Sequence, residues 1–338
     1  MLVKDFDYRL PAEKIAQTPA NPRDHSRLMV MDRQTGFFSH RRFYDITEYL
    51  QGNDILVFND TKVIPARLFG RKASGARIEV LLLRRLDGGD WEILARPGKK
   101  AKAGDFLDFG GGISCQIIGK TDFGGRTARF YHEGDFAKAL EKIGEVPLPP
   151  YIHTKIKDFS LYQTVYAKVE GSAAAPTAGL HFTEGLLAKI KAAGIKSAFV
   201  TLHVGLGTFR PVSAENVDEH VMHSEYYSVS AQTAEEINAA RKKGGRVIAI
   251  GTTCARVLES AGAGGRMRAA AGQTDIFIYP GYQFKIMDAL VTNFHLPQST
   301  LLMLASAFCR REFMLAAYRE AIEQDYRFFS FGDAMLIV

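Results

Sequence analysis

A change of texture at Pro147-Leu148-Pro149-Pro150 most constrains what this chain can fold into. Before it, from residue 69 to 146, short β-prone runs at 77–83, 91–96, 105–109, 113–118 and 127–131 are divided by Asp87-Gly88-Gly89, Gly110-Gly111-Gly112 and Gly124-Gly125. Strands of about five residues at such spacing predict a small antiparallel sheet or barrel. The proline run is a stiff, extended linker. Beyond it, helices and strands alternate. Thr183 is placed to cap a helix with Leu186, Leu187 and Ile190 on one face and Gly194 as its stop. Residues 196–204 alternate, with Ala198, Val200, Leu202 and Val204 on one side and Phe199, Thr201 and His203 on the other. Thr233 and Glu236 form a capping box for a helix that stops at Gly244-Gly245. A buried-type strand over 246–251 leads into a helix over 253–261. Further strands are predicted at 275–279 and 289–292, and helices at 299–309 and 311–324. That succession predicts an α/β domain with a substantial parallel component. Residues 54–58 are another oily strand, so 1–68 and 147–338 are expected to form one discontinuous α/β domain. The inserted small antiparallel β-barrel domain is expected over 69–146.

Two domains suit a length of 338 residues. The charged start of the chain (Lys4, Asp5, Asp7) does not read as a signal peptide, and the longest oily run, 301–308, is short of the roughly 18 residues a membrane span needs. Three scattered cysteines without a CxxC suggest neither a disulfide framework nor a zinc site. A cytoplasmic location follows as the expectation. The net charge is +6, and residues 62–150 hold 16 basic against 11 acidic side chains. A basic surface of that kind suits a polyanion such as RNA, although a solvated basic face explains the same numbers.

Several segments could carry chemistry. Gly251-Thr252-Thr253 joins a strand to a helix, where open α/β sheets hold carboxylates or phosphates on free N–H groups; the simpler reading is that a threonine caps its own helix. Neither GxGxxG nor GxxxxGK[ST] occurs. Residues 170–183 form a small-residue loop bounded by Glu170 and His181, and Gly205 and Gly207 lead from strand-end His203 to Arg210. His220, His223 and Glu225 have metal-ligand spacing but no evident further ligand, so no metal site is expected. Asn293-Phe294-His295 follows a strand and could line the same crevice, while the run from Tyr326 to Phe331 reads as core.

Taken in order, these segments resemble the S-adenosylmethionine:tRNA ribosyltransferase-isomerases of queuosine biosynthesis. The matching stretches are 59–68, 162–167, 171–183, 203–212, 222–225, 275–285, 292–303 and 326–337, and the likeness is weakest in the β-rich insert. The resemblance implies that S-adenosylmethionine, consumed as a co-substrate with no other cofactor, gives its ribosyl group to 7-aminomethyl-7-deazaguanine at the wobble position of tRNA. The products are epoxyqueuosine-tRNA, adenine and methionine. On motif position it assigns acid–base work to His181 and His203, then Glu170 and Asp60. It assigns substrate contacts to Lys62, Arg67, Tyr166, Ser172, Thr177, Thr208, Phe209, Arg210, Gly251, Thr252, Thr253, Asn293 and His295. No membrane and no obligate protein partner are implied. Two positions depart from the family's pattern: Cys254 stands where serine is expected, and Gln273 where a tryptophan is expected. The other readings are a nucleoside-cleaving transferase acting on free nucleosides and a non-enzymatic RNA-binding protein. The basic insert is expected to hold the anticodon arm, with the site in a cleft between the domains.

Overall fold

The computed structural model describes residues 1–86, 88–121, 124–154, 158–205, 212 and 214–338. Its strands, in chain order, begin with β1 (Arg27–Met31), β2 (Phe38–Arg42), β3 (Ile55–Asn59) and β4 (Thr61–Val63). The insert supplies β5 (Arg67–Arg71), β6 (Arg77–Arg85), β7 (Trp91–Arg96), β8 (Phe106–Gly110), β9 (Ile113–Lys120) and β10 (Arg126–His132), then helix α1 (Phe136–Ile143). There follow β11 (Val169–Ser172), α2 (Glu184–Ala192), β12 (Lys196–Leu202), β13 (Glu225–Val229), α3 (Ala231–Lys242), β14 (Val247–Ile250) and α4 (Thr252–Ala261). The chain ends with β15 (Ala270–Thr274), β16 (Ala289–Asn293), α5 (Thr300–Phe308), α6 (Arg311–Glu323) and β17 (Ala334–Ile337).

Contacts divide the chain into two compact units, Met1–Thr61 with Pro150–Val169 and Ala175–Val338, and Lys62–Pro149 with Glu170–Ala174. The expected α/β fold with an inserted antiparallel barrel is what the structure contains. In the main unit a nine-stranded sheet runs in the order β15-β13-β12-β3-β14-β16-β17-β1-β2. Its central strands β12, β3, β14 and β16 are mutually parallel, so their carboxyl ends share one edge. Strands buried on both faces read as continuous apolar runs; Ile55 to Phe58 and Val247 to Ile250 are at most 1 % exposed. Phe43, Ile46, Phe182, Leu186 and Ile190 pack with them in the core. Among the described residues no helix is long and apolar enough to cross a membrane.

In the second unit, β10-β7-β6-β5-β8-β9 close into a barrel of antiparallel pairs. Alternation along β9 buries Ile113, Cys115 and Ile117, the period-two pattern of a barrel wall. Helix α1, capped by the Asp135 carboxylate on the N–H of Ala137 (2.8 Å), was not anticipated in this strand-rich stretch.

Three helices of the main unit start at a side-chain cap, with the hydroxyls of Thr183, Ser230 and Ser299 accepting from Leu186, Thr233 and Leu302. The cap of α3 is thus Ser230 rather than the expected Thr233, whose hydroxyl instead donates to the carbonyl of Phe199 (3.0 Å) and fastens α3 to β12. The strand expected at 275–279 lies at Ala270–Thr274, because pairing with β13 outweighs the stronger β-propensity of the residues that follow.

Candidate active site

The carboxyl ends of the parallel strands collect most of the polar residues singled out in the sequence, as open α/β sheets do. Asn59, fully buried at the end of β3, accepts from the N–H of Leu202 (3.0 Å) and donates to the carbonyl of Leu202 (3.0 Å), pinning β3 to β12. It was missed as a positioning residue. Asp60 follows, and its Oδ1 accepts from the Thr201 hydroxyl at 2.7 Å. Burial raises the pKa of this carboxyl, against the opposing pull of Thr201 and Lys168. Thr61 Oγ1 lies 2.8 Å from His203 Nδ1, and the imidazole stacks on Tyr226 (5.6 Å, 22°). Burial lowers the pKa of His203, which favours the neutral ring, and among the described residues its Nε2 has no hydrogen-bond partner. A fixed, neutral imidazole with one nitrogen free can take or give a proton.

Next along the sheet edge, Gly251 turns β14 into α4 with φ +94°, a left-handed conformation suited to glycine, and donates to the carbonyl of Val291 (2.7 Å). Neither Thr252 nor Thr253 caps the helix; Gly251 is the N-cap and no side chain closes it. First-turn N–H groups have no partner within a helix, and they carry the positive end of its dipole. Thr253 Oγ1, buried and without a partner, stands beside them. A side chain on Gly251 would meet Ala178 Cβ at 3.4 Å, so the small-residue loop faces this turn. One residue on, a Cβ at Gly179 would lie 1.9 Å from the Tyr166 hydroxyl. That hydroxyl is buried without a hydrogen-bond partner, and its pKa is raised by burial and by the nearby Cys254 and Asp60. Tyr166, Ala178, Gly179, Asp60 and the start of α4 therefore come together.

His181 is placed differently from His203. Asn293 Oδ1 accepts from the Thr177 hydroxyl (2.9 Å), which turns its Nδ2 toward His181 Nε2 (3.0 Å). The other nitrogen, Nδ1, donates to Ser26 Oγ (2.7 Å), and Phe43 stacks on the ring (4.8 Å, 25°). Burial, with the charges of Arg327 and Arg23, lowers its pKa to about 3. His295 is likewise pushed down to about 3 by burial; its Nε2 is 2.7 Å from Thr292 Oγ1. Both are neutral, enclosed rings suited to holding the loop and the end of β16 in place.

Lys62, Arg67, Glu170 and Ser172 lie in the barrel unit. Lys62 Nζ pairs with Glu170 Oε1 at 2.9 Å, and this bond holds the ammonium pKa above its usual value. Arg67 Nε is 3.2 Å from Glu79, and the buried Ser172 hydroxyl donates to Ala174 O (2.7 Å). Thr208, Phe209 and Arg210 lie outside the described residues.

Comparison with known proteins shows the family. A family profile described as "Queuosine biosynthesis protein" matches residues 3–337. The chain is 57% identical over 337 residues to the S-adenosylmethionine:tRNA ribosyltransferase-isomerase of Caldanaerobacter subterraneus subsp. tengcongensis, covering 99% of each chain. It is 58% identical over 342 residues to the protein of that name from Moorella thermoacetica, covering 100% of each. The chain belongs to the S-adenosylmethionine:tRNA ribosyltransferase-isomerase family. The crystal structure of a Thermotoga maritima S-adenosylmethionine tRNA ribosyltransferase is similar at 42% identity and a TM-score of 0.58, covering 99% of this chain and 100% of the other.

As a ribosyltransferase-isomerase, this chain has one buried ion pair that sequence reasoning did not single out. Glu225 Oε2 accepts from Arg256, both side chains being 4% exposed, while Glu225 Oε1 accepts from Gly205 N (2.9 Å) just past His203. Part of its signal was present in the sequence, since Glu225 closes the family stretch 222–225 and Arg256 lies one turn into the helix that Gly251-Thr252-Thr253 opens. Of the three residues with metal-like spacing, Glu225 is thus committed to an arginine. Cys254 is fully buried, and burial pushes its thiol pKa up, so it presents no thiolate. Gln273 accepts from the Ser224 hydroxyl (3.2 Å) at the edge of the sheet. The aromatic run is core, as expected, with Tyr326, Phe328 and Phe331 at most 2% exposed.

Proposed function

We propose that the chain transfers the ribosyl group of S-adenosylmethionine to the aminomethyl nitrogen of 7-aminomethyl-7-deazaguanine at the wobble position of tRNA. The sugar is isomerised in the same reaction, giving epoxyqueuosine-tRNA, adenine and methionine. The observation that carries this reading is one sheet edge bearing both a neutral imidazole with a free nitrogen, His203, and an uncapped helix start with an unpartnered hydroxyl, Thr253. The reaction needs both kinds of group. A base must remove a proton from the carbon beside the sulfonium, adenine leaves more readily when an acid protonates its ring nitrogen, and the attacking amine must be neutral. His203 and the partly buried Asp60 are the groups for proton transfer. The first turn of α4 and the Thr253 hydroxyl suit the methionine carboxylate. His181, with Thr177 and Asn293, positions the small-residue loop, and His295 fixes the end of β16. Lys62, Arg67, Glu170 and Ser172 are proposed to meet substrate through the barrel unit, and S-adenosylmethionine is a co-substrate rather than a resident cofactor.

The test is to mix the protein with S-adenosylmethionine and tRNA carrying the aminomethyl base, with unmodified tRNA as control, and to separate the small products. Equimolar adenine and methionine, released only with the modified tRNA, are expected. Adenine released without tRNA would instead mark a nucleoside-cleaving transferase. S-adenosylhomocysteine, or no product from folded protein, would overturn the proposal.

A further inference from the structure

An open cavity of about 450 Å³ at one end of the main sheet is lined by Arg27, His40, Arg41, Arg42 and Asp45, none of which belongs to the strand-end site. Antiparallel pairing of β1 with β2 sets Arg27 directly opposite Arg42, with Arg41 opposite Leu28 and His40 opposite Met29. Like charges directly opposite each other across such a pair are destabilising unless something relieves them. The protein offsets this repulsion only in part, with the Asp325 carboxylate acting on Arg27. Arg27 lies 3.8 Å over the Tyr326 ring and donates to the carbonyl of Gln324; Arg41 donates to the carbonyl of His40 (2.8 Å), and Arg42 to that of His25 (3.1 Å). Each guanidinium has five N–H donors, so most remain available after one carbonyl bond. The acid lining the cavity, Asp45, accepts from the backbone N–H of Arg42 (2.9 Å). His40 is held by Tyr326 (2.8 Å at Nδ1) and lies 3.6 Å from Glu320 at Nε2, which fixes the wall beside the arginines.

We propose that this pocket binds a phosphodiester group of the RNA backbone, giving the main unit an RNA contact separate from the site of ribosyl transfer. Planar guanidinium forks match phosphate oxygens in pairs, and an anion seated between Arg27 and Arg42 would turn a cross-strand repulsion into two attractions. Backbone contacts of this kind set the position of a nucleic acid without reading its sequence. The identification of the occupant as RNA, rather than as a free anion, rests on the proposed tRNA substrate.

The experiment measures tRNA affinity of the full chain across a series of salt concentrations for the parent, R41Q/R42Q and R41K/R42K, with far-UV circular dichroism to confirm folding. Arg27 is left in place because it packs on Tyr326. Each lost phosphate contact removes about 0.7 to 0.9 from the slope of log affinity against log salt. R41Q/R42Q is expected to weaken tRNA binding and to lower that slope by about 0.7 to 0.9, the share of one phosphate, whereas the lysine pair keeps the slope. Inorganic phosphate, titrated calorimetrically, is the second probe. Parent-like affinity and slope in R41Q/R42Q overturn the inference, and do so in favour of a free-anion site if inorganic phosphate binds the parent but not that variant. If the parent releases no adenine from S-adenosylmethionine with modified tRNA but R41Q/R42Q still loses slope, the proposed reaction fails and the phosphodiester site stands. Should the parent turn over and bind tRNA exactly as the variant does, the site fails and the reaction stands. A parent that binds no tRNA ends both.

Discussion

Replacing Glu225 with glutamine isolates one charge in the main unit. The amide oxygen can still accept from Gly205 N, and side-chain volume is nearly unchanged, but Arg256 loses its counter-charge while only 4% of its side chain is exposed. Its Nε already lacks a partner, and the remaining contact from NH2 to the carbonyl of Thr274 is long at 3.5 Å. Breaking a buried pair from one side typically costs about 3–5 kcal/mol, because the survivor stays charged and desolvated. Glu170→Gln removes the same charge from a pair that is 40% and 44% exposed, and should cost less than about 1 kcal/mol. Urea denaturation can read both variants. Far-UV circular dichroism follows the helices, five of which among the described residues belong to the main unit, and fluorescence of the single tryptophan, Trp91, follows the barrel unit. The dichroism transition of Glu225→Gln should move to lower urea. The double variant Glu225→Gln/Arg256→Met should recover most of the loss, since it removes the stranded charge and keeps the acceptor for Gly205 N. Glu225→Gln within about 1 kcal/mol of the parent, or a double variant as unstable as the summed singles, would refute the reasoning.

The neutral histidines give a pH signature. His181 and His295 have folded pKa values of about 3 against an ordinary 6.5, so below 6.5 the unfolded chain binds protons that the folded chain does not. Stability should therefore be fully present above that pH and fall below it by up to about 1.4 kcal/mol per pH unit for each ring; denaturation at pH 7, 6 and 5 checks this, and His295→Asn should flatten the slope. Gly179→Ala should lower turnover at least tenfold by driving the loop off the Tyr166 hydroxyl, and Gly179→Ala/Tyr166→Phe should regain part of it, as adenine release will show. Thr253→Val, which keeps the shape of the side chain and loses the hydroxyl, should raise KM for S-adenosylmethionine about tenfold, the worth of roughly one hydrogen bond to a charged group, with an unchanged melting temperature. Reversing Lys99, Lys100 and Lys102 to glutamate should raise KM for tRNA and leave that for S-adenosylmethionine unaltered.

Where structure follows local pattern, it could be read from the sequence. The alternation in 196–204, the glycine-punctuated barrel strands and the serine ahead of α5 each encode an element within a few residues. What escaped depends on distant partners. Residues 275–279 have the stronger strand propensity, yet Ala270–Thr274 pairs with β13, a choice made by tertiary contacts. Asn59 looks like a turn residue, and its oxygen does accept from Thr61 N nearby, but its two bonds to Leu202 span 143 positions. The histidines stood out by type and position, but whether a ring is free or enclosed is decided by Thr61 for His203 and by Ser26 and Asn293 for His181. No local window contains those pairs.

The main sheet does not close on itself, and among the described residues no further strand pairs with the outer backbone row of its outermost strands, β2 and β15. Such rows are templates on which a second chain can add a strand, which is how many globular proteins begin to aggregate. β15 offers little to such a partner, being only Ala-Ala-Gly-Gln-Thr, whereas β2 follows Phe37, a ring 73% exposed. Arg41 and Arg42 close β2 with charge that an incoming copy would have to bury against its own. Replacing that pair of side chains with apolar residues should therefore make the edge adhesive, seen as concentration-dependent self-association.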